Sequence, residues 1–509
     1  MKSKHAVALA LVVALYLLAA PRVTAKTAAE LLKEAPKPVF AKEHTLLPLS
    51  RWGWAMPYDT AVELCENWGY ALEFAGESGP DGVKQALANP KSDQARFCAL
   101  SAKDPKKYPL AVLVYREVAH AKLPEETFVH DAEGKRLEDV PEWKTWSPLL
   151  PDSLYEEAGK QAADAMAQIR ATGARLSILL NGGEYGLNCR GHSGPSWEKD
   201  PKVVAAKGNE DWDVWIGKRK AHYELLITEA VRKAVPDRDV YLYYHYGAMP
   251  GWTDVKWVWD YAGMRPVADM PGHMFYYAQY DNSGWTGKND MLTNATCAYH
   301  ECLKYSDKLA YHWLCSGWGK GPFSDDDRYM GFLKCLYNTG MVGGVAGYFS
   351  YPQPAFGADQ GAEAPHWLRQ MMILGHAHAL FSHLDKFIRE GELLPGPEKH
   401  RYGKGGPAYE FPTGDPNARV LVRKHSKLGQ WLITAWAADG PEREVKVDVP
   451  ELGELTVLAR PAGSVYRAKA VVEMKFEPPK VTLELLDPDP MHPSASFASS
   501  EQEVKVEAE

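Results

Sequence analysis

The chain has 509 residues, 45% of them apolar and 24% charged, a composition that supports a packed core and excludes a disordered chain. Its formal charge of −8 comes without a basic block, which removes the electrostatic basis for nucleic-acid binding. It carries 17 Trp against 14 Phe, more indole than a plain core needs and suited to a surface that stacks flat ligands.

Residues 1–25 read as an export signal: a basic start with Lys2 and Lys4, an apolar run from Ala6 to Ala20, and a small-residue exit ending at Ala25. The run is shorter than the roughly 20 residues of a spanning helix, and no later segment is long and apolar enough to span. Cleavage near Ala25 removes Lys2, Lys4 and Arg22 and takes the charge from −8 to −11. The expected product is secreted or periplasmic, with no membrane span.

From about residue 46 to 350, short β-rich runs alternate with amphipathic stretches. The runs are Leu49–Trp54, Ala71–Ala75, Leu110–Tyr115, Leu176–Leu180, Val240–His245, His273–Tyr277, Tyr311–Cys315 and Val342–Phe349. Helical periodicity marks Tyr58–Trp68, Ser153–Ala171, Trp212–Ala234, Asp290–Leu309 and Asp326–Thr339. Eight such units predict an α/β chain whose parallel strands close into a (β/α)8 TIM barrel spanning residues 26–390. Three excursions interrupt the spacing: a hairpin over Thr127–Val140 and loops over Asn181–Asn209 and Asp281–Lys288. His366–Arg389 reads as a further helix and residues 391–406, rich in Gly, Pro and charge, as a linker. Residues 407–486 then carry short alternating runs between turns, predicting an all-β sandwich. Residues 487–509 read as a solvated tail.

Seven cysteines, at 65, 98, 189, 297, 302, 315 and 335, show no Cys/His spacing of a zinc site and read mainly as buried small side chains. His376, His378 and His383 fall in a helical stretch and read as packing; Asp325-Asp326-Asp327 precedes a helix and reads as its cap. The sequence therefore calls for no metal and no cofactor.

In a parallel barrel the carboxyl ends of the strands share one mouth. The first run ends with Trp52 and Trp54, the second with Glu73 and Glu77, the third with Arg116 and Glu117, and the fourth with Asn181-Gly182-Gly183-Glu184-Tyr185. The fifth supplies Tyr244 and His245, the sixth Gln279 and Asp281, the seventh Trp313 and Trp318, and the eighth Ser350 and Tyr351. Carboxylates, aromatic faces and planar hydrogen-bonding groups in one mouth suit a carbohydrate, whose C–H faces pack on rings while its hydroxyls need polar partners. Glycosidic cleavage needs a carboxylic acid for the leaving oxygen and a second carboxylate as nucleophile or base. Glu184 is the foremost candidate acid, because it follows a buried strand and two glycines that permit close backbone approach to a ligand. Trp52, Trp54, Trp313, Trp318 and Tyr351 form the expected sugar platform, with Arg116, Asn181, Tyr185 and His245 as polar contacts.

With these residues the chain resembles the (β/α)8-barrel glycoside hydrolases of the clan A type, followed by a C-terminal β-sandwich. That resemblance implies an acid/base Glu preceded by Asn at the end of the fourth strand and a nucleophilic Glu ending the seventh. Asn181 and Glu184 stand in the first position with two glycines between them. The seventh run, Tyr311-His312-Trp313-Leu314-Cys315 and on to Trp318, holds no carboxylate. The second carboxylate is then Asp281 or Glu117, with Glu77 as a third option. Two readings follow: a hydrolase of an oligo- or polysaccharide, and a glycan-binding protein on a barrel that has lost its second acid.

Overall fold

The computed structural model describes residues 26–51, 56–74, 79–113, 124–137, 147–181, 196–237, 241–244, 261–276, 292–293, 295–296, 299–300, 311–315, 325–346, 366–399, 406–471 and 480–498. Eight strands alternate with helices: β1 Ser50–Arg51, α2 Tyr58–Asn67, β2 Leu72–Phe74, α3 Gly79–Ala88, α4 Asp93–Lys103, β3 Leu110–Leu113, α5 Asp152–Ala171 and β4 Leu176–Asn181. There follow α6 Pro201–Lys207, α7 Trp212–Ala234, β5 Tyr241–Tyr244, α8 Tyr261–Met264, β6 Met270–Tyr276, β7 Tyr311–Cys315, α9 Asp326–Thr339 and β8 Met341–Ala346. A short helix α1, Ala28–Glu34, precedes them and begins in a capping box. There the Thr27 hydroxyl accepts from the Glu30 N–H, and the Glu30 carboxylate accepts from the Thr27 N–H.

All eight strands pair in parallel in the order β1-β8-β7-β6-β5-β4-β3-β2. The remaining seam closes at Leu49, whose N–H donates to the Gly69 carbonyl at 2.8 Å and whose carbonyl accepts from the Ala71 N–H at 2.8 Å. A sheet whose first and last strands meet has no open edge, so this is a closed (β/α)8 barrel. The strands are short and apolar because helices cover their outer face while the barrel interior fills the other. Helices α5 and α7 pack together, with Gly159 of α5 against the α7 backbone. A Cβ there would come within 2.9 Å of the Ile227 Cα.

Beyond the barrel, α10 His366–His383 and α11 Asp385–Glu390 lead into β9 Glu392–Leu393, β10 Ala418–His425, β11 Gln430–Ala437, β12 Arg443–Val449, β13 Gly453–Ala459, β14 Ser464–Val471 and β15 Lys480–Leu485. One antiparallel sheet runs β15-β14-β11-β10-β9, and β12-β13 form a second. Inward residues of both, among them Val422, Ile433, Val447 and Val457, share one buried cluster. The first sheet lies against α9. Arg423 of β10 reaches the end of that helix, donating from Nε (2.9 Å) and Nη2 (2.6 Å) to the Asn338 carbonyl, a cation at a helix C-terminus. Gly331 of α9 meets Trp436 of β11 so closely that a Cβ would lie 2.2 Å from the indole.

Several expectations meet a different structure. The single helix expected over His366–Arg389 breaks at Leu384, where Asp385 turns inward to accept from the Thr45 N–H and hydroxyl at 2.9 Å. The loop expected over Asn181–Asn209 contains α6, started by Asp200, whose carboxylate accepts from the Lys202 and Val203 N–H groups. In the stretch read as a linker, Glu392–Leu393 pairs with β10 and Leu393 is buried, since one apolar side chain suffices to dock a Gly/Pro-rich segment on a sheet. Part of the stretch read as a solvated tail is folded. Asp487 is fully buried against Lys334, and the Phe497 ring stacks on His383 at 4.2 Å. Its acidic, proline-rich composition suggested solvent, but a buried ammonium on α9 supplies the partner. Residues 1–25, read as the signal, lie outside the described residues, among which no helix is long and apolar enough to cross a membrane.

Candidate active site

The barrel brings eight strand ends to one edge: Arg51, Phe74, Leu113, Asn181, Tyr244, Tyr276, Cys315 and Ala346. Parallel pairing fixes them as neighbours in register. Asn181 sits opposite Tyr244, Tyr276 opposite Cys315, and Cys315 opposite Ala346. Of the sequence-predicted site residues, Asn181 is the last residue of β4, and Trp313 is the centre of β7, flanked by Met274 of β6 and Gly344 of β8.

Trp52, Trp54, Arg116, Glu117, Glu184, Tyr185, His245, Asp281, Trp318 and Tyr351 lie outside the described residues, as does Glu77. In the sequence each of them follows one of these eight ends within five residues. The described barrel thus delivers the chain to one rim at the points where the expected acids and aromatics begin.

Glu73 is the one acidic residue among the described residues of the eight barrel strands. It is only 3% exposed, in register with Ala111 of β3. Strand alternation points its carboxyl to the face opposite Leu72 and Phe74. In the sequence Glu73 stood beside Glu77 as an undistinguished strand-end acid. The signal that could have set it apart is a lone charge within an otherwise apolar strand, since such charges are seldom buried without a reason.

Among the described residues no group of three or more His, Cys, Asp or Glu could hold a metal ion. The histidines of α10 pack. His378 Nδ1 lies 2.6 Å from the Tyr337 hydroxyl, His376 stands edge-on to Trp68, and His383 Nε2 lies 2.9 Å from the Val39 carbonyl. Burial drives His376 down to about 4 and His378 to about 3, so both are neutral imidazoles at neutral pH. Asp325 caps α9, accepting from the Arg328 N–H at 3.1 Å, and Asp326 pairs with Arg369 at 3.3 Å. Cys65, Cys98 and Cys335 are buried free thiols raised by burial, to about 12, 11 and 12, and are inert as nucleophiles.

No family model matches the chain, and no curated protein sequence matches it. Similar solved structures include a maltogenic α-amylase, AmyB, from Thermotoga neapolitana, at 10% identity and TM-score 0.44, covering 83% of this chain and 96% of that one. An α-amylase from Lactobacillus plantarum is similar at 11% identity and TM-score 0.43, with 82% and 98% covered. A GH36 α-galactosidase, AgaA, from Geobacillus stearothermophilus gives 10% identity and TM-score 0.41, with 90% and 58% covered. These likenesses are distant, and the barrel described above rests on its own strand pairing.

Proposed function

We propose that the protein is an exported glycoside hydrolase that cleaves an oligo- or polysaccharide at the carboxyl end of its barrel. The observation that carries this reading is the convergence of eight parallel strand ends on one rim, each followed in the sequence by carboxylates, rings or amides suited to sugar. Glu184, three residues beyond the end of β4, is the general acid. A mouth walled by aromatic rings disfavours the ionised carboxyl and keeps a proton available near neutral pH. Asp281 or Glu117 is the second carboxylate, and Arg116 beside Glu117 favours its ionised form. Trp52, Trp54, Trp313, Trp318 and Tyr351 hold sugar faces, while Asn181, Tyr185 and His245 orient hydroxyls. A separation of roughly 5–5.5 Å between the two carboxyls gives retention of configuration, and roughly 6.5–9.5 Å gives inversion. The two C-terminal sheets, taken together as a β-sandwich, brace the barrel through α9. Residues 1–25 direct export and are removed near Ala25.

A second reading has one observation in its favour: β7 and the residues after it to Trp318 carry no carboxylate. On that reading the barrel binds glycan without cutting it. Reducing-end release from a polysaccharide panel, with glycan binding measured alongside, separates the two. Glu184→Gln is expected to lower cleavage by roughly 10²–10⁴-fold while binding persists. Cleavage unchanged in that variant removes Glu184 from the mechanism. Binding without cleavage by the unaltered protein selects the second reading. Asp281→Asn and Glu117→Gln, compared in the same assay, identify the second carboxylate by the larger loss.

A further inference from the structure

A cavity of about 380 Å³ opens where the C-terminal sheet meets the barrel residue Thr293. Its inner wall is an assembled polar group. Glu410 Oε2 lies 3.4 Å from Arg419 Nε, and Glu410 Oε1 accepts from the Thr293 hydroxyl at 3.2 Å. A second wall carboxylate, Asp415, is paired with Arg443, whose guanidinium holds it below the usual carboxylate range. The exposed rings of Pro412 and Pro416 add C–H surface beside these groups.

Backbone conformation marks the same place. Tyr409, directly before Glu410, has φ 55, a left-handed conformation that a bulky side chain adopts only when its surroundings impose it. The Tyr409 ring is buried edge-on to Tyr299, and its hydroxyl lies 3.1 Å from His300 Nδ1. Anchoring that ring on the barrel leaves Glu410 lining the cavity. Strain of this kind gathers at ligand sites, where the structure holds a side chain in a position the local backbone does not favour.

We infer that this cavity is a second carbohydrate site, taking a short neutral stretch of glycan outside the barrel mouth; the inference rests on the carbohydrate reading of the protein. The charge balance selects the ligand class. Of the three wall carboxylates, Glu410 and Asp415 each face a guanidinium and Glu398 is offset by Lys399 in the same wall, so the cavity offers little net charge to an ion. It offers side-chain acceptors beside donors, the combination that sugar hydroxyls need. Its volume stands at the small end of the roughly 300–1,000 Å³ usual for ligand sites, which suits a short saccharide.

The test is calorimetric titration of the full chain carrying Glu184→Gln with malto-, cello- and xylohexaose, and with an oligogalacturonate of equal length as the charged control. Two binding events are expected with at least one neutral hexaose. Adding Thr413→Trp, which fills the cavity from its half-buried rim, removes one event while the melting temperature holds. Glu410→Gln, which preserves side-chain shape, weakens that same event severalfold and serves as the check if the larger substitution disturbs folding. Tighter binding of the uronate, or no event sensitive to either substitution, overturns the inference. Cleavage by the unaltered protein is scored separately. Loss of an event on Thr413→Trp in a protein that never cleaves leaves the cavity site standing and sinks the hydrolase reading. Glu184-dependent cleavage with both events intact in Thr413→Trp does the reverse.

Discussion

Helices α9 and α10 lie side by side, yet they bury polar groups by opposite means. On the side facing the C-terminal sheet the groups are charged and paired. Lys334 Nζ, fully buried, donates to Asp487 Oδ2 at 2.6 Å and to the carbonyls of Ala462 (2.7 Å) and Pro490 (2.9 Å). Burial lowers the Lys334 pKa and Asp487 opposes that fall. Arg460 meets the other oxygen of Asp487 at 3.1 Å, which also accepts from the Val465 N–H. On the side covered by the N-terminal segment and residues 492–498 the groups are imidazoles kept neutral. His376 lies against Trp68 and His492, and His378 is set between the Tyr337 hydroxyl and the Leu47 backbone. Charge also appears toward the edge of this side, where Lys37 meets Glu63 at 2.6 Å. A paired charge resists pH change until its carboxylate is protonated, whereas a buried neutral histidine is exposed to mild acid.

The largest effect expected from this contrast is on the charged side. Lys334→Met leaves Asp487 buried without its ammonium and is expected to cost about 3–5 kcal/mol in chemical denaturation. A variant within experimental error of the parent would show that Arg460 alone satisfies Asp487.

The next effect is acid sensitivity on the other side. His376 titrates at about 4 in the folded chain and near 6.5 in the unfolded one, so its folded pKa is depressed. The unfolded state takes up the proton first. The stabilisation is present in full above about pH 6.5 and is lost as pH falls toward 4, about 3 kcal/mol in all. His376→Phe is expected to flatten the melting temperature between pH 7 and 4 relative to the parent; parallel curves would remove this histidine as the cause.

A smaller effect sharpens the same point. Tyr337→Phe strips the hydroxyl from His378 Nδ1 and is expected to cost about 1–2 kcal/mol at pH 7. The hydroxyl holds one ring nitrogen as an acceptor while the other meets the Leu47 backbone. Stability at pH 7 within experimental error of the parent would show that this hydrogen bond does not hold the ring.

Much of the fold was legible in the residues alone. Tyr311–Cys315, Trp212–Ala234 and Asp326–Thr339 were delimited to the residue, because period-2 or continuous apolar runs and period-3.6 stripes are local properties of the chain. The number of strands and their alternation with helices predicted parallel pairing for the same reason.

What composition could not reveal was pairing across long separations. Asp487 and Lys334 lie 153 residues apart, Thr45 and Asp385 are 340 apart, and Val39 meets Ser494 across 455. An acidic or Gly/Pro-rich stretch looks solvated until a distant partner removes the cost of burying it. The strained Tyr409 and the cavity beside it belong to the same class, since left-handed backbone at a bulky residue is imposed by packing and leaves no mark in the sequence. Local periodicity therefore determined the elements and the end of the barrel to which the expected acids belong. Only the tertiary structure decided which buried charges meet, which histidines stay neutral, and where the C-terminal segments close on the barrel, because those outcomes depend on desolvation and contact between residues far apart in the chain.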